Sequence, residues 1–173
     1  MKKVKNMKKS IKILKNIIVL LAVIALTQCD EDDVTPKTIN TVKMNGNDYA
    51  IASATMIGMS IGDFGSTSIS FLSGTGLESR ILSLNVESFT AATIEGDYAF
   101  PEVTGKKLLD DWLTDYSYYE GTEQYSSNLE TGEVSITHNG SNNYTVSIDL
   151  VMIDGVTFTG LYTGDFQVMF SNN

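Results

Sequence analysis

The chain has 173 residues, with 21 Asp and Glu against 12 Lys and Arg, a formal net charge of −9 and an apolar share of 42%. An acidic chain repels DNA, RNA and anionic lipid, which excludes a nucleic-acid role, and the apolar share is too high for an unfolded polymer. A single cysteine and a single histidine exclude an internal disulfide and a zinc site built from Cys and His.

The N-terminus is basic, then apolar, then acidic. Lys2, Lys3, Lys5, Lys8, Lys9, Lys12 and Lys15 precede an unbroken apolar run from Ile17 to Leu26, and Asp30-Glu31-Asp32-Asp33 follow Cys29. Ten apolar residues reach only ~15 Å as a helix, half of a ~30 Å bilayer core. The run therefore has the length of a signal-peptide core, with the positive flank that holds the N-terminus in the cytoplasm. Leu26-Thr27-Gln28-Cys29 resembles the bacterial lipobox, in which Leu stands three residues before an acylated cysteine. Gln28 departs from that pattern, because a small residue usually precedes the cysteine. The resemblance implies a signal peptide over residues 1–28, lipidation at Cys29, and an acidic tether over 29–38. Acyl chains contribute ~0.8 kcal/mol per buried CH₂, so a multiply acylated Cys29 is a stable membrane partner. Every acidic residue lies after Cys29, but only five of the basic ones do, so the exported part is far more acidic than the whole.

The remainder, residues 39–173, predicts one all-β domain, rich in Ser, Thr, Gly, Tyr and Val. Asn40, Val42 and Met44 alternate with polar residues, and Asn45-Gly46 is a hairpin signal because both residues tolerate positive φ. Tyr49 to Ile61 is a long extended segment, with Tyr49, Ile51, Ile57 and Met59 in one phase. Ser68 to Leu72 is a short strand. Leu82, Leu84 and Val86 alternate with Ser83, Asn85 and Glu87, the pattern of a sheet with one wet face. Ile94 to Pro101 reads as a turn into a strand that stops at the proline. Lys106 to Leu113 predicts two helical turns, with Leu108, Leu109, Trp112 and Leu113 on one side. Asp115 to Glu120 is a strand with Tyr116 and Tyr118 on one face, and Asn128 to Gly132 is turn-like. In the last third, Val134 and Ile136 oppose Ser135 and Thr137, and Asn139 to Asn142 is a turn. Tyr144, Val146, Ile148, Leu150 and Met152 then share a phase, and Asp154-Gly155 is a second hairpin signal. Phe166, Val168 and Phe170 close the chain. About nine strands in sequential hairpins predict an antiparallel sandwich or barrel.

Tyr144 to Leu150, followed by Asp154-Gly155-Val156-Thr157-Phe158-Thr159-Gly160-Leu161-Tyr162-Thr163-Gly164, resembles the C-terminal hairpin of small Bacteroidetes lipoproteins. Asn45-Gly46 and Gly132 to Thr137 are similar as well. The resemblance covers about half of the exported part and rests on hairpin motifs. It implies an all-β surface lipoprotein and transfers no catalytic residue. It also implies that the acidic tract after Cys29 directs the protein to the outer face of the outer membrane. In other Gram-negative groups, Asp at the position of Asp30 marks inner-membrane retention instead.

No catalytic constellation is legible. His138 stands alone at a strand end beside Asn139-Gly140, without the partners of a nucleophile–base pair. No glycine-rich phosphate loop joins a strand to a helix. Asp110, Asp111, Asp115, Glu120 and Glu123 crowd one segment, but no spacing fixes two of them for glycoside hydrolysis. No cofactor or metal is expected. The candidate ligand-binding residues are Trp112, Tyr116, Tyr118 and Tyr119, interleaved with Asp115, Glu120 and Glu123 and followed by Tyr125. Aromatic rings stack on sugar faces and on protein surfaces, and carboxylates accept hydroxyl hydrogen bonds. The same alternation also serves to cover a sheet face. The leading expectation is a non-enzymatic surface lipoprotein that binds a glycan or an envelope protein. The alternatives are an accessory subunit of an outer-membrane uptake or secretion complex, a lipocalin-like carrier of an apolar ligand, and a hydrolase that works through acids alone.

Overall fold

A computed structural model describes residues 37–61, 64–88, 93–102, 111–120 and 122–170. The signal-peptide reading and Cys29 lie outside the described residues. The described chain forms twelve strands and one 3-10 turn at Gly76–Glu78. The strands are β1 (Ile39–Asn40), β2 (Lys43–Met44), β3 (Asn47–Asp48), β4 (Ser53–Ile61), β5 (Phe64–Ser73), β6 (Arg80–Glu87), β7 (Gly96–Phe100), β8 (Asp111–Glu120), β9 (Glu123–Gly140), β10 (Asn143–Met152), β11 (Thr157–Asp165) and β12 (Gln167–Phe170). All of them belong to one sheet, in the order β12-β4-β5-β6-β8-β9-β10-β11-β2-β3, with β1 on β11 and β7 on β9, and the two ends of that path do not pair. The all-β class holds. The count exceeds the expected nine because the alternating stretch from Asn40 to Met44 is divided between two short strands, β1 and β2, and β3 adds a third of two residues. Among the described residues no helix is long and apolar enough to cross a membrane.

The sheet curls around one core. Neighbouring strands lie ~4.8 Å apart, so β5 and β11, five strands apart in the order, stand roughly 24 Å from each other in a flat sheet. Their inner rings nevertheless touch: Phe71 meets Tyr162 at 5.5 Å between centroids. Phe166, just past β11, reaches Phe71 at 5.9 Å. The strictly alternating strands supply the rest of the interior. Leu82, Leu84 and Val86 are fully buried, as are Val146, Leu150 and Met152, while Tyr144 and Ile148 are nearly so. The hairpin signals act as read: Asn45 and Gly46 take φ of 50° and 78° in the β2–β3 turn, and Gly140 and Ser141 take 107° and 49° between β9 and β10.

Four expectations are corrected. The sheet is not wholly antiparallel: β12 runs parallel to β4, because Phe166 carries the chain from β11 across to the far edge without a hairpin. The phase assigned along β4 inverts. Ala54 and Met56 are buried, whereas Ile57 and Met59 are exposed, because a bend at Ala52, between the buried Tyr49 and the start of β4, resets the alternation. The turn expected at Asn128–Gly132 lies inside the unbroken β9. A register shift pairs Val151 with Thr131 but Met152 with Leu129, so Glu130 is the extra residue of a bulge. The helical turns expected over Lys106–Leu113 fall mostly outside the described residues, and Asp111 to Leu113 belong to β8.

Gly160 marks the tightest crossing, where β1 and β2 fold onto β11. Its φ is +119°, and a Cβ there would run into the Thr41 carbonyl. Backbone strain and overlap together cost about 3 kcal/mol. Gly160→Ala therefore lowers the melting temperature by about 10 °C in a thermal unfolding scan, whereas Gly155→Ala, at an open turn with φ +84°, costs much less.

Candidate functional site

An open cleft of about 630 Å³ lies where β2, β6, β8 and the β10–β11 turn converge, lined by Met44, Ser73, Glu78, Arg80, Tyr116, Tyr118, Tyr119, Asp154 and Val156. The register explains the grouping. Arg80 stands opposite Tyr118 on β8, and Tyr118 opposite Tyr125 on β9. Leu82 stands opposite Tyr116 one step further inward. Residues two apart on a strand share a face, so Tyr116 and Tyr118 rise side by side.

The tyrosines form a ladder. Tyr116 stacks on Tyr118 with centroids 5.4 Å apart and an interplanar angle of 26°. Tyr118 stacks in turn on Tyr125 at 5.4 Å and 18°. The inner end is anchored in the core, where Tyr116 meets Phe158 edge-on at 5.1 Å, and Phe158 meets Tyr49 at 5.5 Å. Tyr49 fixes the other wall: its hydroxyl donates to the Arg80 carbonyl at 3.0 Å and approaches the Phe71 carbonyl at 3.3 Å. The tyrosines of this array are graded in exposure. Tyr116 is 3% exposed, Tyr119 38% and Tyr125 41%. Tyr119 donates to the Gln124 carboxamide oxygen, and Tyr125 to a Glu123 carboxylate oxygen.

Burial pushes the phenols of Tyr49 and Tyr116 upward, and the nearby Arg80 charge pulls both partly back. At Tyr98, on β7, burial pushes the phenol up to about 12; its hydroxyl donates to the Ile94 carbonyl at 2.7 Å. Asp115 on β8 is also raised, chiefly by burial, with a hydrogen bond from Ser83 opposing it.

Three of the four candidate residues thus meet at the cleft. Their parts differ: Tyr116 is core, Tyr118 is half-buried and stacks on Tyr116 and Tyr125, and Tyr119 is exposed. The backbone of Trp112 lies in β8 within the irregular stretch between Asp111 and Asp115. Glu78, Arg80, Asp154 and Val156 were not singled out from the sequence. The chain's only arginine was the available signal, and its register partner Tyr118 supplies the rest. Because the ladder hides ring faces, the cleft offers mainly hydrogen-bonding groups: phenol hydroxyls, one guanidinium with five N–H donors, and two carboxylates. His138 is remote from this array. It is exposed, its ring stacks on Tyr144 at 4.7 Å, and its Nε2 lies 2.8 Å from the Ser141 carbonyl. Among the described residues no group of three His, Cys, Asp or Glu side chains is placed to hold a metal ion.

No family model matches the chain, and neither a curated protein nor a solved structure matches it.

Tyr116→Ala removes a buried ring and costs about 3–5 kcal/mol, while Tyr119→Ala and Arg80→Ala stay within about 0.5 kcal/mol; denaturant titration separates the two classes. The buried phenols also set an alkaline limit. Their raised folded-state values make a contribution that is complete below pH 10 and lost as the pH climbs through the folded value. Stability therefore holds up to about pH 10 and falls above it, and Tyr98→Phe flattens that fall in thermal scans taken from pH 9 to 12.

Proposed function

We propose that the protein is a non-enzymatic binding module, held at the outer membrane and facing the cell surface through an acylated Cys29, whose end cleft takes a hydroxyl-rich ligand of glycan type. The observation that carries this reading is the cleft itself, where Arg80, Glu78, Asp154 and the Tyr116–Tyr118–Tyr119 edge converge. Sugar hydroxyls both donate and accept, which suits a site that sets one guanidinium beside two carboxylates and phenols. The apolar side chains of Met44 and Val156 suit the apolar face of a sugar ring. The packed aromatic interior, with Phe71, Tyr162 and Phe166 in mutual ring contact and Phe158 fully buried against Tyr49 and Tyr116, supports a ligand at the sheet's end rather than inside it. The basic-apolar N-terminus and Leu26-Thr27-Gln28-Cys29 support the anchor.

Two measurements test the two halves. Calorimetric titration of the purified protein with a panel of polysaccharides gives binding to at least one. Arg80→Ala and Tyr119→Ala each weaken that binding about tenfold, the scale of one charge-assisted hydrogen bond, with unchanged melting temperature. A panel without binders, or variants that bind as the parent does, contradicts the site. A fatty-acid probe labels the parent and not Cys29→Ser, and equal labelling contradicts the anchor.

A further inference from the structure

One edge of the sheet differs from the rest of the molecule. β4 (SATMIGMSI), β5 (FGSTSISFLS) and β12 (QVMF) are adjacent and contain no charged residue, in a chain with 21 acids. Their outer face also carries apolar side chains: Ile57 is 37% exposed, Met59 58% and Met169 56%. Register makes these one patch. Met169 stands opposite Ile57 across the β12–β4 pair, and Met59 follows two residues on. Ser66, Ser68 and Ser70 of β5 pair with Met59, Ile57 and Thr55, all without charge. β12 ends the strand order and pairs only with β4, so its second edge is open among the described residues. Edge strands are usually blunted by lysine, proline, bulges or extreme shortness. The opposite end follows that rule, since β3 is two residues, Asn47–Asp48. β12 has neither charge nor proline.

We propose that this edge is a self-association surface, on which β12 of a second copy pairs antiparallel across a two-fold axis and the two Ile57–Met59–Met169 patches meet. The occupant follows from charge. Two copies of a strongly acidic chain repel across most approaches; the outer face of β7, β9 and β10, for example, presents Asp97, Glu133 and Asp149 together. The β12–β4–β5 face is where like can meet like without opposing charges. A two-fold contact is self-complementary by construction, and a neutral, apolar patch beside an open edge satisfies that condition with no second partner.

Sedimentation equilibrium of the full chain in density-matched detergent tests this. The parent sediments as a dimer that tightens as salt is raised, because salt screens the remaining long-range repulsion. Met169→Lys and Ile57→Lys, both at exposed positions, each weaken the dimer at least about tenfold with unchanged melting temperature. In a second readout, Met169→Cys in intact membranes forms a disulfide-linked dimer on mild oxidation, and Ser147→Cys on the acidic face does not. A monomeric parent, a dimer indifferent to both lysines, or Met169→Cys linked instead to a different envelope protein overturns the proposal.

Discussion

Everything in this fold depends on contacts between aromatic rings that are far apart in strand order. A twelve-strand open sheet buries nothing by itself; its apolar face needs a second layer, and here the sheet supplies that layer by curling onto itself. Phe158 on β11 touches Tyr49 and, across two intervening strands, Tyr116 on β8. Tyr162 and Phe166 close on Phe71 from β5. These edge-on pairs contribute through both area and quadrupole geometry, each about 0.5–1.5 kcal/mol beyond simple burial. They also set where the curl stops, and so where the sheet stays open.

That stopping point creates both surfaces of interest. At one end, the ring series continues outward from Phe158 through Tyr116 and Tyr118 to Tyr125, so the candidate cleft is the exposed continuation of the core. Its tyrosines inherit their rigidity from packing, and Arg80 inherits its position from the Tyr49 hydroxyl that holds its carbonyl. A site supported in this way needs little ordering when a ligand arrives. At the sheet's edge, the parallel strand β12 leaves one row of backbone groups open. Phe170 lies over Gly58, where a Cβ would collide with its ring, so β12 is seated on β4 by a glycine that makes room for it.

What the sequence revealed depended on the range of the signal. Alternation over β6 and β10 gave the buried residues directly, because each strand has one dry face and its period is unbroken. Asn45-Gly46 and Asp154-Gly155 revealed their turns because positive φ is a local demand. The phase of β4 was misread because a bend outside the strand resets it, and a bend leaves no compositional mark. Asn128 to Gly132 resembled a turn because a bulge uses the same residue types. At the site, Tyr116, Tyr118 and Tyr119 were legible as neighbours on one strand. Arg80, Glu78 and Asp154 were not, since cross-strand register and the β10–β11 turn bring them in, and no local pattern encodes that. The parallel placement of β12 was invisible for the same reason.

The most direct test of the curled sheet is a double-mutant cycle between Tyr116 and Phe158, residues 42 positions apart in the chain and separated by β9 and β10 in the sheet order. Unfolding free energies of Tyr116→Leu, Phe158→Leu and the double variant give the coupling. The account predicts about 0.5–1.5 kcal/mol of favourable interaction. Additive losses, with coupling indistinguishable from zero, would show that the inner faces of β8 and β11 do not meet and that the sheet does not curl around one core.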